Sequence, residues 1–170
     1  AMYLLAYHAF LRVGEITKTT GSNQHFLRRN HLSLVKDPSA GNYLELTIPH
    51  LKHSKQSTTL HIKQNISQPL LCPFNACQTY LAIRLHKTED EALFSFMDGT
   101  PVSRIFFTDH LHRSLSFCGL DMQKYHSHSF RIGAATTAAL SGLSEIQIQN
   151  MGRWKSSAYK KYIRIPSLQL

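Results

Sequence analysis

Four side chains in this sequence are of the types that break and rejoin phosphodiester bonds. Arg12 stands near the start of the chain, His128 and Arg131 are three positions apart, and Tyr162 follows further on. An arginine guanidinium is always charged and matches phosphate oxygens with paired hydrogen bonds. A tyrosine hydroxyl can act as a nucleophile, and another group must protonate the oxygen that leaves. Together these residues favour chemistry on a phosphodiester.

The order of these residues resembles the tyrosine recombinase, or phage integrase, family. That family carries an Arg-x-x-acid motif, a Lys on a β-hairpin, a His-x-x-Arg motif, a Gly-His or Gly-Trp pair, and a Tyr shortly afterwards. The chain has matching residues in the same order: Arg12, Glu15, Lys55, His128, Arg131, Gly152, Arg153 and Tyr162. The resemblance covers essentially all 170 residues.

The resemblance implies a role for each matched residue. Arg12 and Arg131 would clamp the reacting phosphate in its transition state, where one preorganised donor is worth about 10²–10³ in rate. His128 would bond the same phosphate and assist proton transfer, and Glu15 would fix the geometry of Arg12. Tyr162 would attack phosphorus and form a covalent 3′-phosphotyrosine. That intermediate keeps the bond energy, so no cofactor and no metal are implied.

The general acid for the leaving 5′ oxygen is expected on a hairpin. Residues 51–57 are predicted to form the turn between the second and third strands, and Ser54-Lys55 resembles the family's Ser-Lys-Thr stretch. We therefore assign Lys55 as the acid, with Lys52 as the runner-up. The alternative is that both lysines only contact DNA phosphates.

One position departs from the common family pattern. Arg153 follows Gly152 where the family has His or Trp, and Trp154 comes next. Either Arg153 takes over the phosphate contact, or a local shift lets the indole N–H of Trp154 donate instead. We favour Trp154 and treat Arg153 as a supporting residue. The Gly-Arg-Trp form looks like that of eukaryotic mobile-element recombinases of the Crypton and DIRS type, which implies a nuclear location.

A second tyrosine, Tyr159, competes with Tyr162 for the place of the nucleophile. Tyr162 fits the spacing of the family better. The alternative for Tyr159 is a packed aromatic ring on the same helix face, three residues before Tyr162.

The hydrophobic pattern predicts the elements that must position these residues. Helices are predicted over 2–13, 74–85, 103–117, 128–140, 144–151 and 156–163, and strands over 31–35, 43–48 and 58–62. Gly142 is predicted to end the fourth helix, and Ser144 to cap the next one. The fold class is therefore α+β, mostly α: a helical catalytic domain with a small three-stranded antiparallel sheet.

The charge balance favours a polyanionic partner. Nineteen Lys and Arg against ten Asp and Glu give a formal net charge of +9, which suits nucleic acid or an anionic membrane surface. The basic residues are spread along the chain, which indicates a folded basic face. No apolar run approaches the roughly 20 residues of a membrane span.

The cysteines and histidines do not predict a metal site. Cys72, Cys77 and Cys118 cannot all pair and match no disulfide framework, which favours a reducing compartment. Cys72 and Cys77 could at most form half of a zinc site, and no second pair with matching spacing completes it.

The resemblance also implies how the chain is organised and what it binds. Residues 1–170 would form a tyrosine recombinase catalytic domain, a fragment without the N-terminal domain that completes the clamp on DNA. Family members act as tetramers on two duplexes, so double-stranded DNA and further copies of the chain are the expected partners. No membrane partner is expected.

Two other functions fit parts of the pattern. A domesticated, non-enzymatic DNA-binding domain would keep the basic charge and the fold, but the intact set Arg12, Lys55, His128, Arg131 and Tyr162 argues against it. A type IB topoisomerase shares the chemistry, but the short length and the approach to Tyr162 fit a recombinase better.

Overall fold

The computed structural model describes residues 1–18, 26–49 and 57–164. The α-helices are α1 (Met2–His8), α2 (Val13–Ile16), α3 (Pro73–Ile83), α4 (Arg104–Phe117), α5 (Ser129–Leu140) and α6 (Glu145–Met151). The strands are β1 (Leu32–Val35), β2 (Tyr43–Ile48) and β3 (Thr58–Lys63). Short 3-10 helices cover Arg29–His31, Pro69–Leu71 and Ser157–Tyr162. The predicted α+β, mostly α fold class is confirmed.

The three strands form one antiparallel sheet in the order β1-β2-β3. Leu46 of the central strand lies opposite Leu32 of β1 and Leu60 of β3. Leu44, Leu46 and Ile48 are buried, and the residues between them are more exposed. This alternation is the period of a strand with one face on the core. The predicted strands are therefore confirmed, with shifts of one residue at two ends.

Two predicted turn residues behave as expected around α6. Gly142 adopts a φ of +80° after α5, and the amide of Leu143 donates to the carbonyl of Ala138 at 3.1 Å. These features close a Schellman turn, which needs a left-handed residue at this position. Ser144 then forms a capping box with Gln147 at the start of α6, and this satisfies amides that have no partner within the helix.

The prediction of one continuous helix over 2–13 is wrong. α1 ends at His8 and α2 begins at Val13, because Phe10 takes a left-handed φ of 52° between them. The break places Arg12 at the N-cap of α2, so the candidate arginine lies at a corner of the chain.

Two further boundaries differ from the prediction. α3 ends at Ile83, because Arg84 turns inward and its guanidinium bonds the Ser95 hydroxyl at 3.1 Å and the Glu91 carboxylate at 2.8 Å. The helix predicted over 156–163 is the 3-10 helix Ser157–Tyr162.

The described residues form two core clusters, which α1 connects because it contacts both α3 and α5. The sheet cluster packs the strands against α1 and α3, with Leu5, Leu44 and Phe74 fully or almost fully buried. The α5 cluster comprises Phe10, Ala134, Ala135, Ala138, Ile148, Trp154 and Tyr159. Its three alanines let the aromatic rings approach the backbone of α5 closely. The candidate site lies at this second cluster.

Candidate active site

Arg131 is a fully buried cation at the centre of the site. It lies in the first turn of α5, and its Nη1 and Nη2 donate to the carbonyl oxygens of Phe10 and Gly152. Burial, followed by the positive charges of Arg12 and Arg153, lowers the pKa of Arg131 to about 10. The guanidinium therefore stays charged at neutral pH and joins two segments that are distant in the sequence.

Both of these carbonyls lie at helix ends that contain a left-handed residue. Phe10, with φ 52°, follows α1, and Arg153, with φ 56°, follows α6. The two turns are closed by backbone hydrogen bonds from Leu11 to Ala6 at 2.9 Å and from Trp154 to Gln149 at 3.0 Å. A residue with a Cβ atom costs about 1–2 kcal/mol in this conformation. Arg131 offsets part of that cost, because a cation is favourable at a helix C-terminus.

Glu15 is the carboxylate that orients the arginines. Nη1 of Arg12 lies 3.2 Å from its Oε1, and the backbone N–H of Arg12 donates to its Oε2 at 2.8 Å. Nη2 of Arg153 donates to the same Oε2 at 2.9 Å, and its Nη1 to the carbonyl of Ala9 at 3.0 Å. The Arg12 side chain is 42% exposed, whereas Glu15 and Arg153 are almost completely buried. Arg12 is thus held at the surface by a carboxylate that Arg153 contacts from the buried side.

Gly152 is required by packing and not by its backbone angle. Its φ of −82° is open to any residue, but a Cβ atom there would lie 1.6 Å from Cζ3 of Trp154. The indole folds back over this glycine and stacks on Arg131, whose Cζ is 4.2 Å from the ring. A desolvated contact of this kind contributes about 2 kcal/mol. Trp154 therefore lies against the central guanidinium, while Arg153 points towards Glu15.

Tyr162 lies among the predicted site residues. Its ring centroid is 5.0 Å from that of Trp154 and 5.6 Å from that of His128. Cζ of Arg131 is 5.6 Å from the Tyr162 ring. The segment is tied to α5 because the hydroxyl of Thr136 donates to the carbonyl of Tyr162 at 3.2 Å. The structure thus brings Tyr162, His128, Arg131 and Trp154 together.

Tyr159 is engaged elsewhere. Its ring is buried, and its hydroxyl donates to Oε2 of Glu145. Lys160 lies 3.4 Å from the other oxygen of that carboxylate. The hydrogen bond to Glu145, with burial as the second cause, raises the pKa of Tyr159 to about 12. A hydroxyl that is already donating and is so weakly acidic is a poor nucleophile at neutral pH, which leaves Tyr162 as the candidate.

His128 is the N-cap residue of α5, one position before the observed start of the helix. Burial lowers its pKa below the usual 6.5, and the positive charges of Arg131, Arg12 and Arg104 lower it further. The imidazole is therefore neutral at neutral pH, with one nitrogen that donates and one that accepts a hydrogen bond.

The two candidate lysines, Lys55 and Lys52, lie outside the described residues. The strands on either side are described, and Ile48 of β2 pairs with Thr58 of β3. The turn predicted over 51–57 falls almost wholly outside the described residues, so it stays a prediction. The assignment of Lys55 as the general acid stays a prediction.

Sequence reasoning missed three contributors to the site. Arg104, the first residue of α4, acts on His128 through its charge. Phe10 contributes a carbonyl to Arg131, and Thr136 contributes a hydroxyl to the segment of Tyr162. None of them belongs to a motif. Only the predicted helix start at Ser103 indicated where Arg104 would lie.

In the described ranges, no group of three or more His, Cys, Asp or Glu side chains is placed to hold a metal ion. Cys72 and Cys77 are buried, and burial raises the pKa of Cys77 to about 12, so its thiol stays protonated, whereas metals bind the thiolate. Across the same ranges, none of the helices has the length and apolar character to cross a membrane.

No protein-family model matches the chain, and no curated protein matches it in sequence. The chain does resemble solved structures. It matches the XerH site-specific recombinase bound to its difH substrate in a pre-cleavage complex with a TM-score of 0.69 and 16% identity. That match covers 96% of this chain and 42% of the recombinase chain.

Two further structures give a similar result. The post-cleavage complex of XerH with palindromic difH matches with a TM-score of 0.66 and 15% identity, over 95% of this chain and 39% of that one. The Tn1549 transposon integrase in complex with transposon right end DNA matches with a TM-score of 0.60 and 13% identity, over 98% of this chain and 54% of that one. The chain therefore spans about half the length of these proteins or less. The resemblance to tyrosine recombinases is confirmed at the level of the fold.

Proposed function

We propose that the chain cleaves and rejoins DNA strands through a covalent 3′-phosphotyrosine at Tyr162. The observation that carries this proposal is the meeting of Tyr162 with Arg131, His128 and Trp154, while the hydroxyl of Tyr159 is held by a carboxylate. The fold supports it, because XerH and the Tn1549 integrase share that fold and were solved in complex with DNA.

In the proposed reaction the hydroxyl oxygen of Tyr162 attacks phosphorus, and the bond from phosphorus to the 5′ oxygen breaks. His128 is neutral at neutral pH and can accept the phenol proton. Lys55 is proposed to donate a proton to the leaving 5′ oxygen. Rejoining is the reverse step, in which a 5′ hydroxyl attacks the phosphotyrosine. One phosphoester replaces another in each direction, so the bond energy is conserved.

Arg12 and Arg131 are proposed to stabilise the negative charge that grows on the phosphate. Arg12 presents its guanidinium at the surface, with Glu15 and Arg153 as positioning residues. Arg131 is different, because it is fully buried and its Nε has no hydrogen-bond partner among the described residues. A phosphate can reach it only after a covering ring moves. We propose that DNA binding shifts Tyr162, which lies on a short 3-10 helix.

The domain assignment and the assembly follow from the same proposal. Residues 1–170 are proposed to be the catalytic domain, which acts on double-stranded DNA as a homotetramer. The Crypton and DIRS subtype and the nuclear location stay predictions.

The test is the formation of a covalent adduct with DNA. The substrate is a pool of labelled, nicked duplexes of random sequence, in which the short leaving strand diffuses away and the adduct accumulates. Adducts are detected as label that stays with the protein in detergent. The wild-type chain is expected to form them, and Tyr162→Phe is expected to form none while its DNA affinity changes little.

Tyr159→Phe is the matched control, since it removes the other candidate hydroxyl, and it is expected to keep the adduct. Adducts from Tyr162→Phe and none from Tyr159→Phe would assign the nucleophile to Tyr159. A wild-type chain that binds the duplexes and forms no adduct would contradict the proposal and support the domesticated DNA-binding domain.

A further inference from the structure

Arg104 is an exposed cation next to the candidate site that no motif contains. It is the first residue of α4, and within the described part of the chain it forms no ion pair. Asp109, the nearest acid along the same helix, is five residues further on, which places it about 140° around the helix from Arg104. The charge of Arg104 is therefore not neutralised from its own helix.

Packing places the first turn of α4 beside the first turn of α5. The ring of Phe107 lies 5.9 Å from that of Phe130 and 4.9 Å from that of Tyr3. Tyr3 also donates its hydroxyl to the carbonyl of Phe107 at 3.2 Å. Arg104 is one helical turn before Phe107, and His128 is two residues before Phe130. The positive charge of Arg104 accordingly contributes to the lowered pKa of His128.

A second exposed cation, Lys18, is joined to the start of α4 through its backbone. The Lys18 amide donates to the carbonyl of Val102 at 2.8 Å, and the Arg104 amide donates to the carbonyl of Lys18 at 3.2 Å. Lys18 is three residues after Glu15, so this pairing also ties the corner that carries Arg12 to the start of α4. Among the described residues Lys18 has no ion pair.

The charge of this region exceeds the need of one phosphate. Five cations belong to this region: Arg12, Arg131, Arg153, Arg104 and Lys18. Among the described residues only Arg12 and Arg153 of these five form an ion pair, and both pair with Glu15. A DNA phosphodiester carries one negative charge, and its pentacoordinate transition state about two. Along one strand the next phosphate follows about 3.4 Å further along the helix axis.

We propose that Arg104 and Lys18 form an outer subsite that binds the DNA phosphate next to the reacting one. The proposal rests on the proposed function, because it takes the reacting phosphate to lie at Arg12 and His128. The outer subsite fixes the position of the strand, and it leaves the chemistry to the inner residues. Arg104 and Lys18 are binding residues in this scheme and not catalytic ones.

The test measures how DNA affinity depends on salt, with a labelled 30-base-pair duplex of mixed sequence as the probe. Each phosphate contact contributes about 0.9 to the slope of log K against log salt. Arg104→Gln and Lys18→Gln are each expected to lower the slope by about that amount. The affinity of the variant divided by that of the wild type is then about eightfold lower at 0.1 M salt than at 1 M salt. Arg104→Lys is expected to keep the slope.

Arg113→Gln is the matched control. Arg113 is exposed on the same helix, nine residues further on, which is the opposite face. The slope of this variant is expected to stay near the wild-type value. Arg104→Gln and Lys18→Gln variants that match the control, while Arg12→Gln lowers the slope, would overturn the outer subsite and leave the proposed function standing. A wild-type chain without salt dependence would overturn both.

The rate of adduct formation separates a neighbouring phosphate from the reacting one. At saturating DNA, Arg12→Gln is expected to slow the adduct by about 10²–10³. Arg104→Gln is expected to raise the DNA concentration for half-saturation and to slow the adduct at saturating DNA far less than Arg12→Gln does. A saturated rate as low as that of Arg12→Gln would place Arg104 on the reacting phosphate and contradict the outer subsite.

Discussion

The sheet cluster and the α5 cluster are held together by different interactions. In the sheet cluster, Leu44, Leu46 and Ile48 point to one face of β2 and pack on apolar neighbours. At the α5 cluster, Arg131 packs on Trp154 and bonds two carbonyls, and Phe10 and Arg153 take left-handed angles. The part of the molecule proposed to carry the chemistry is thus the part whose packing depends on buried polar contacts.

The two clusters should therefore respond differently to the same kind of change. An apolar core tolerates a substitution that keeps volume, because no polar group loses its partner. A buried polar network loses more, because each group left unpaired keeps the whole cost of its desolvation.

The largest difference is expected when methionine is introduced into both clusters. Arg131→Met leaves the carbonyl of Gly152 without its donor, and it leaves the carbonyl of Phe10 with only the longer bond from Nη2 of Arg153, at 3.4 Å. An unpaired buried carbonyl costs about 1–3 kcal/mol. The unpaired Gly152 carbonyl alone is expected to lower the free energy of unfolding by about 1–3 kcal/mol, and the weakened bonding of Phe10 adds to this loss. Leu46→Met keeps an apolar side chain of similar volume and is expected to cost less than about 1.5 kcal/mol.

Urea unfolding followed by circular dichroism measures both values. Equal losses in the two variants would mean that the α5 cluster is held by apolar packing like the sheet cluster. The prediction would then be wrong, together with the role given to Arg131 as the link between two helix ends.

A smaller difference is expected between two glycines of the α5 region. Gly152→Ala forces the Trp154 ring out of its place, since the new Cβ atom would lie 1.6 Å from it. We expect a loss of about 2–3 kcal/mol, the value of burying a large apolar side chain. Gly142→Ala meets no atom within 4 Å but keeps a φ of +80°, so its cost should be about 1–2 kcal/mol.

Fluorescence separates displacement of the indole from strain in the backbone, because Trp154 is the chain's only tryptophan. Emission should shift to longer wavelength in Gly152→Ala as the indole becomes exposed, and it should stay unchanged in Gly142→Ala. An unshifted Gly152→Ala spectrum would show that the indole does not lie over this glycine.

The same contrast explains what the sequence could predict. The strands and the roles of Gly142 and Ser144 depend on nearby residues, and they are confirmed by the structure. The motif spacing also named Tyr162, His128, Arg131 and Trp154, which the structure brings together, while their roles stay predictions. Their geometry could not be predicted, because the carbonyls that bind Arg131 lie 121 and 21 residues away along the chain. The break of the first helix at Phe10 was missed for the same reason, since the contact that stabilises it comes from α5.

The smallest expected effect is the dependence of stability on pH. The pKa of His128 is lower in the fold than in the unfolded chain, where it is about 6.5. As the pH falls below about 6.5, the unfolded chain binds more protons than the fold, so the free energy of unfolding falls until the pH passes the folded pKa. His128→Asn should therefore show a smaller drop in Tm between about pH 7.5 and pH 5.5 than the wild type does.

Salt then distinguishes His128 from His8, the last residue of α1. Burial lowers the pKa of His8, and a hydrogen bond with the Leu71 backbone offsets part of this, whereas three arginines add to the effect of burial at His128. Salt screens charges and does not relieve burial. High salt should therefore reduce the drop in Tm on acidification more in His8→Asn, which keeps His128, than in His128→Asn. An equal response of both variants would mean that the arginines do not act on His128, and it would remove the electrostatic link between the α5 cluster and Arg104.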